Sequence, residues 1–341
     1  MDLSVIIPAY NVQKCIAACL RSVTRCPKVN IDMECIVIDN NSTDETAAIV
    51  NRYIERDNRM KLVTTKHTGA LDMRNEGVEA ASGTYLMFLD AKDRLCEDAW
   101  EQIEAAVEEE YADFVAYSYI TLNKKGKFKA RMLPLSDVIS TDEQEAKRLM
   151  YADAVLNTCW GKLFKSRIIR DNNIFFRTDL PAGADFLFVA EYFEHCESYM
   201  MTKAMILYCP LDGVNTMNNY SMEECLDIIS VLYDYRAAAV GHYNDRELMD
   251  CMRVYFFGEL TSLLCTYARE YHHNKKALEN IYGNALKHKF VKSFLVELDE
   301  HMLHAVTKRY EYRLLSKGDA ARIRKYFSMR AMLPVPDVGL L

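Results

Sequence analysis

Thr84-Tyr85-Leu86-Met87-Phe88-Leu89-Asp90-Ala91-Lys92-Asp93-Arg94 carries five apolar residues, Tyr85 to Leu89, that stop at an acidic cluster. A run this short fits a strand and not a helix, and being apolar on both faces it fits the buried centre of a parallel sheet. Ligands of open α/β sheets lie beyond the carboxyl ends of the strands, which is where Asp90 and Asp93 fall. Two carboxylates there suit a hard cation, which can in turn carry phosphate oxygens. Alone, D-x-x-D is as readily an acidic turn closing a strand. The flanking sequence decides.

Upstream, Leu3-Ser4-Val5-Ile6-Ile7-Pro8 reads as a first strand stopped by proline, which lacks a ladder N–H. Asn11 suits the N-cap of a helix with Ile16, Leu20 and Val23 on its apolar side. A second strand, Cys35 to Ile38, ends at Asp39-Asn40-Asn41-Ser42-Thr43-Asp44, and a helix with Ala48, Ile49 and Tyr53 follows. Met60 to Thr65 makes a third strand, and Gly69 to Ala81 a helix carrying Arg74 and Asn75. This β-α-β-α-β-α-β order predicts an α/β, doubly wound sheet with right-handed crossovers.

Downstream, Asp98–Glu110, Glu143–Tyr151, Ser166–Asp171 and Phe186–Phe193 read as helices, Phe114–Ile120 and Ala204–Cys209 as strands, and 123–127 as a basic turn. After about residue 220 no strong strand signal remains. Ser221-Met222-Glu223-Glu224 has capping-box spacing, and Met222–Val240, Arg246–Tyr271, Lys275–Asn284 and Phe290–Lys308 read as helices. Two regions are therefore expected, 1–219 α/β and 220–341 mostly helical. The stretch 308–330 is basic and amphipathic, which suits a docking helix with a solvated face or contact with an anionic membrane surface.

A net charge of -7 argues against nucleic-acid binding, which rests on basic phosphate contacts. Eleven cysteines without a C-x-x-C pair, and an N-terminus without a basic and then apolar leader, lead to the expectation of a cytoplasmic protein with free thiols. No apolar run approaches the roughly 18 residues of a membrane span, so attachment is expected at most at the inner face of the membrane.

Together these motifs resemble the family 2 glycosyltransferases of GT-A fold, which build bacterial surface polysaccharides. The family's S-V-I-I-P-x-Y-N is matched by Ser4 to Asn11, its V-D-D-G-S-T-D by Ile38 to Asp44, and its R-N-x-G by Arg74 to Gly77. Its A-x-G-x-Y-x-x-F-L-D is matched by Ala81 to Asp90, and its W-x-K-L-F by Trp160 to Phe164. The resemblance implies that Pro8, Ala9, Tyr10 and Asp39, with Asn41, form the base and ribose pocket. An aromatic ring can pack on a pyrimidine and a carboxylate can accept the uracil imide proton. It also implies that Arg74 and Asp90 lie at the nucleotide and that Asp185 is the general base.

Four departures touch the site, the mildest being Asp39-Asn40-Asn41 where the family has D-D-G. The family's L-D-x-D-D is Leu89-Asp90-Ala91-Lys92-Asp93, its E-D is Ala184-Asp185, and the arginine of its P-L-Y-Y-Y-R is Asn215. Lys92 can supply positive charge at the diphosphate without a metal; alternatively Asp90 and Asp93 hold Mn2+ or Mg2+. The leading expectation is an inverting transferase using a nucleotide sugar, UDP-linked, and a glycan or lipid-linked acceptor. The alternative is a catalytically inactive relative that binds nucleotide or glycan or scaffolds a partner. Self-association is expected of the helical region.

Overall fold

The structure, a computed structural model, describes residues 1–25, 30–65, 69–108, 112–122, 128–135, 137–152, 156, 158–178, 183–210 and 220–332. The basic turn at 123–127, the start of the loop before Ala184, and the stretch 211–219 with the expected boundary lie outside the described residues. The chain forms two compact units, Met1–Ala146 with Leu156–Gly213, and Lys147–Val155 with Val214–Leu341.

The first unit holds strands β1 (Leu3–Ala9), β2 (Met33–Asp39), β3 (Met60–Thr64), β4 (Tyr85–Phe88) and β5 (Arg94–Leu95). They are followed by β6 (Phe114–Leu122), β7 (Phe128–Arg131), β8 (Ile139–Ser140), β9 (Lys162–Lys165) and β10 (Tyr199–Pro210). The sheet order is β3-β2-β1-β4-β9-β6-β10-β5, with β7 on β6 and β8 on β10. Helices α1 (Ile16–Thr24), α2 (Thr46–Ile54) and α3 (Ala70–Ala80) connect the first four strands, which pair in parallel as the alternating pattern predicts. Helices α4 (Ala99–Glu108), α6 (Ser166–Asp171) and α7 (Ala184–Phe193) follow, while α5 (Glu143–Ala152) has residues in both units. The W-x-K-L-F segment is itself a strand: β9 enters antiparallel between β4 and β6, which makes the sheet mixed.

Packing explains the glycines of two motifs. A Cβ on Gly83 would lie 2.5 Å from the Ser4 amide nitrogen, and one on Gly77 would overlap the Ile6 side chain, so β4 and α3 approach β1 only without them. Asn75 pins a distant segment, donating to the Phe176 carbonyl at 2.9 Å and accepting from its amide at 2.7 Å.

Two local expectations are corrected. Pro8 does not stop β1, which continues to Ala9 opposite Asp39. Ile6 faces β4, its carbonyl accepting from Leu89 N at 3.0 Å, so by alternation Pro8 also faces β4, where the register has already ended at Phe88. Its missing N–H leaves no gap. Asn11 does not cap α1, which begins five residues later after Cys15. It sits in the left-handed region at φ 50°, and its side-chain oxygen accepts from Thr43 N at 2.9 Å.

The second unit comprises α8 (Met222–Tyr243), α9 (Arg246–Glu270), α10 (Lys275–Ala285), α11 (Lys289–Glu297), a single 3-10 turn, α12 (Val306–Ser316) and α13 (Ala320–Arg330). The Ser221 capping box forms in full, with Ser221 N donating to Glu224 at 2.7 Å and Glu224 N donating to Ser221 Oγ at 3.3 Å. Tyr233 anchors an aromatic cluster with Phe256, Phe290 and Phe294. The helix expected over Phe290–Lys308 is broken: Leu298 leaves the helix in an extended conformation and Asp299 caps the 3-10 turn. Residues 308–330 form two helices, parted at Gly318 with φ 68°. Their positive charge is largely answered within the unit. Arg313 pairs with Glu300, Arg322 with Asp319, Arg324 with Glu279, and both Lys308 and Arg330 with the fully buried Glu311. Internal pairing leaves less charge for an anionic surface. No described helix is long and apolar enough to cross a membrane.

Candidate functional site

The carboxyl ends of β1, β2 and β4 lie side by side, because β1 pairs with both of the others. Two hydrogen-bonded groups form there. The first joins the opening motif to the turn after β2. Asp39, buried at the end of β2, accepts from Ser42 through both oxygens, at 2.5 Å from Oγ and 3.2 Å from N. Ser42 Oγ accepts from Asn11 N at 3.0 Å, while Asn41, at φ 49°, donates to the Thr65 carbonyl at 2.8 Å. Tyr10 projects from this lattice with its ring 54% exposed, whereas Pro8 and Ala9 are buried in β1. An open ring beside an ordered carboxylate can receive a flat heterocycle with an N–H edge.

The second group spans three separate stretches of sequence. Arg74 of α3 donates through Nη2 to Asp90 at 2.8 Å and through Nη1 to Asp185 of α7 at 3.1 Å. Its guanidinium lies 5.6 Å from the centre of the Phe176 ring, which stacks on Phe188 at 3.9 Å. Burial would lower the Arg74 pKa, but the Asp185 and Asp90 carboxylates together hold it above the ordinary arginine value. Cys159 donates to the second oxygen of Asp185 at 3.4 Å, and burial pushes its thiol well up, so it stays protonated. Asp185 is thus oriented from both sides.

Lys92 and Asp93 part company in the turn after β4. Asp93 is 1% exposed, whereas Lys92 is exposed and has no ion pair with a described residue. Burial first, and then the Asp93 and Asp90 charges, raise the Cys209 thiol. As arranged, these residues do not fit a divalent cation: Arg74 already takes Asp90, Asp93 is turned inward, and the described residues form no cluster of three or more candidate ligands.

Three members of this site carried no functional expectation in sequence. Cys159 and Phe176 belong to no matched motif position, and Lys162 gave no sign of its burial. Lys162 is 2% exposed, its ammonium donating to Thr158 Oγ1 at 3.2 Å and to the Trp160 carbonyl at 3.3 Å. Burial brings its pKa down to about 8, against the opposing pull of Cys159, Asp185 and Cys209. At this group the unfolded chain therefore binds the extra proton between about pH 8 and the ordinary lysine value, and the Lys162 contribution to stability rises with pH across that window. Lys308 and the buried thiols titrate in the same range, so the readout is a difference: between pH 7.5 and 9.5 urea unfolding should show the wild type gaining about 1–2 kcal/mol relative to Lys162→Met. An equal gain in the variant would place the titration elsewhere.

Parallel strands carrying nucleotide-type strand ends, continued by an antiparallel insertion, define a GT-A fold. A solved structure of Staphylococcus aureus TarS in complex with UDP-GlcNAc matches with a TM-score of 0.65, covering 96% of this chain and 91% of that one at 19% identity. The family model "Glycosyl transferase family 2" matches residues 4–171, and that region of the chain belongs to the family. Among curated relatives, glycosyltransferase GlyA of Streptococcus pneumoniae is 30% identical over 49% of this chain and 25% of its own length. The poly(ribitol-phosphate) beta-N-acetylglucosaminyltransferase TarS of S. aureus is 24% identical over 68% of this chain and 40% of its own. The chain thus matches less than half the length of either relative.

Proposed function

We propose that the chain is an inverting glycosyltransferase that moves a sugar from a UDP-linked donor to a glycan or lipid-linked acceptor in surface-polysaccharide synthesis. The carrying observation is Arg74, which ties Asp90 at the donor end of β4 to Asp185 at the head of α7. In this reading the uracil ring packs on Tyr10 and its imide N–H donates to Asp39. Arg74 and the open Lys92 face the diphosphate. Asp185 takes the proton of the acceptor hydroxyl as that oxygen bonds to the anomeric carbon, and the bond to UDP breaks with its electron pair on the leaving phosphate. One displacement inverts the carbon. Relatives named as glycosyltransferases, and the UDP-GlcNAc complex of TarS, support UDP-GlcNAc as the first donor to assay. A cytoplasmic location goes with such a donor.

The test is a calorimetric titration with UDP, with and without Mn2+. Asp39→Asn keeps the shape but sets an amide against the imide, and should weaken UDP roughly 10- to 100-fold. Unchanged affinity would show that the base sits elsewhere. Lys92 already supplies positive charge, so wild-type affinity should stay within about twofold when Mn2+ is added. Lys92→Asp reverses that local charge and should make UDP binding Mn2+-dependent. Strong Mn2+ enhancement in the wild type would refute this charge argument.

A further inference from the structure

One residue beyond Asp93 the chain enters β5, where Arg94 lies opposite Tyr208 of β10. Around that pair is a recess of about 480 Å³, walled in part by Arg21 and Arg25 at the end of α1 and by Arg94, Trp100, Phe128 and Tyr208. All three arginines are exposed, and none forms an ion pair with a described residue. Among the described residues, Glu97 is the only acidic side chain on the wall. Three guanidinium groups thus meet at one hollow in a chain of net charge -7. Phe128 is 67% exposed and stands edge-on to Tyr208 with ring centres 5.8 Å apart.

The wall is held in place by its floor. Ser22 Oγ accepts from Leu95 N at 3.1 Å, and the Ser22 carbonyl accepts from Trp100 Nε1 at 3.3 Å, so α1, β5 and α4 are tied together. Converging like charges repel one another and add nothing to the fold. Guanidinium forks match phosphate oxygens two at a time, and an open aromatic face packs against the carbon face of a sugar or polyol. A bare anion uses only the arginines and a neutral sugar only the rings. A chain carrying both uses the whole wall.

We propose that this recess binds the acceptor chain, and that the acceptor is a glycan bearing phosphate groups. The inference rests on the glycosyltransferase reading above and extends it by naming the acceptor's chemistry. The Asp93–Arg94 peptide links this wall to the turn that follows β4.

The test titrates the whole chain with a synthetic ribitol-phosphate oligomer, a neutral maltooligosaccharide of matched length, and inorganic phosphate. The oligomer should bind tightest, more weakly as salt is added. Arg21→Gln/Arg94→Gln should weaken it at least about tenfold and Phe128→Ala several-fold, with UDP affinity unchanged as the control for folding. Equal binding of the neutral chain, unchanged binding in the double variant, or inorganic phosphate binding as tightly as the oligomer would each overturn the proposal. Oligomer binding retained where UDP fails to bind would sink the donor reading alone and leave the recess supported.

Discussion

Asp185→Asn should slow sugar transfer about 10²- to 10⁴-fold, the contribution of a positioned general base, while UDP affinity stays within about threefold. The amide preserves the side chain's shape, and its oxygen can still accept from Arg74 Nη1, now 3.1 Å away. What it loses is the ability to take a proton. Arg74 and Cys159 hold Asp185 from two directions, so the substitution tests chemistry more than position. Turnover measured as UDP release from UDP-GlcNAc with acceptor present gives the answer. A variant within tenfold of wild type would move the base to another residue. A wild type that binds UDP yet transfers nothing, with every acceptor tried, would establish the inactive binding module instead.

Arg74→Ala should destabilise the first unit by about 2–4 kcal/mol, less than loss of one partner from a fully buried pair because both carboxylates keep some solvent. The side chains of Asp90 and Asp185 are 24% and 27% exposed, against 9% for Arg74. Removing the guanidinium leaves two carboxylates facing one another and strips the cation from the Phe176 ring. Arg74→Lys keeps the charge but cannot fork between two acceptors, and should recover about half of the loss. Transfer should fall in both variants, because Asp185 loses its orientation. Denaturant unfolding with a change under about 0.5 kcal/mol for Arg74→Ala would mean that the bridge does not hold the site.

The parallel half of the sheet was readable because its signals are local. Apolar runs such as Val5–Ile7, Cys35–Ile38 and Tyr85–Leu89 end at polar clusters, and strand ends are where such a fold gathers chemistry. The Ser221 capping box was readable for the same reason, since both its bonds lie within four residues. Short strands were not. Lys162–Lys165 is four residues long and β5 only two, so neither shows a period. The break in the helix expected over Phe290–Lys308 was missed although Asp299 is a good cap, because apolar spacing continues across it.

The sequence by itself determined the family resemblance, the succession of strands and helices in the parallel half and the residues at the strands' carboxyl ends. These follow from side-chain periodicity and from motifs that the chain carries contiguously. Only the tertiary structure decided which of those residues meet. Arg74 and Asp185 are 111 positions apart, and nothing near either one signals the other. The same holds for burial: Lys92 and Asp93 are neighbours in sequence, yet one faces solvent and the other is closed in beside Cys209. Charge pairing on residues 308–330 was decided there too, because Glu279 and Glu300 reach those arginines only once the helices fold back on one another. Long-range contacts are made when apolar faces pack, and a linear pattern records which face is apolar but not what it will lie against.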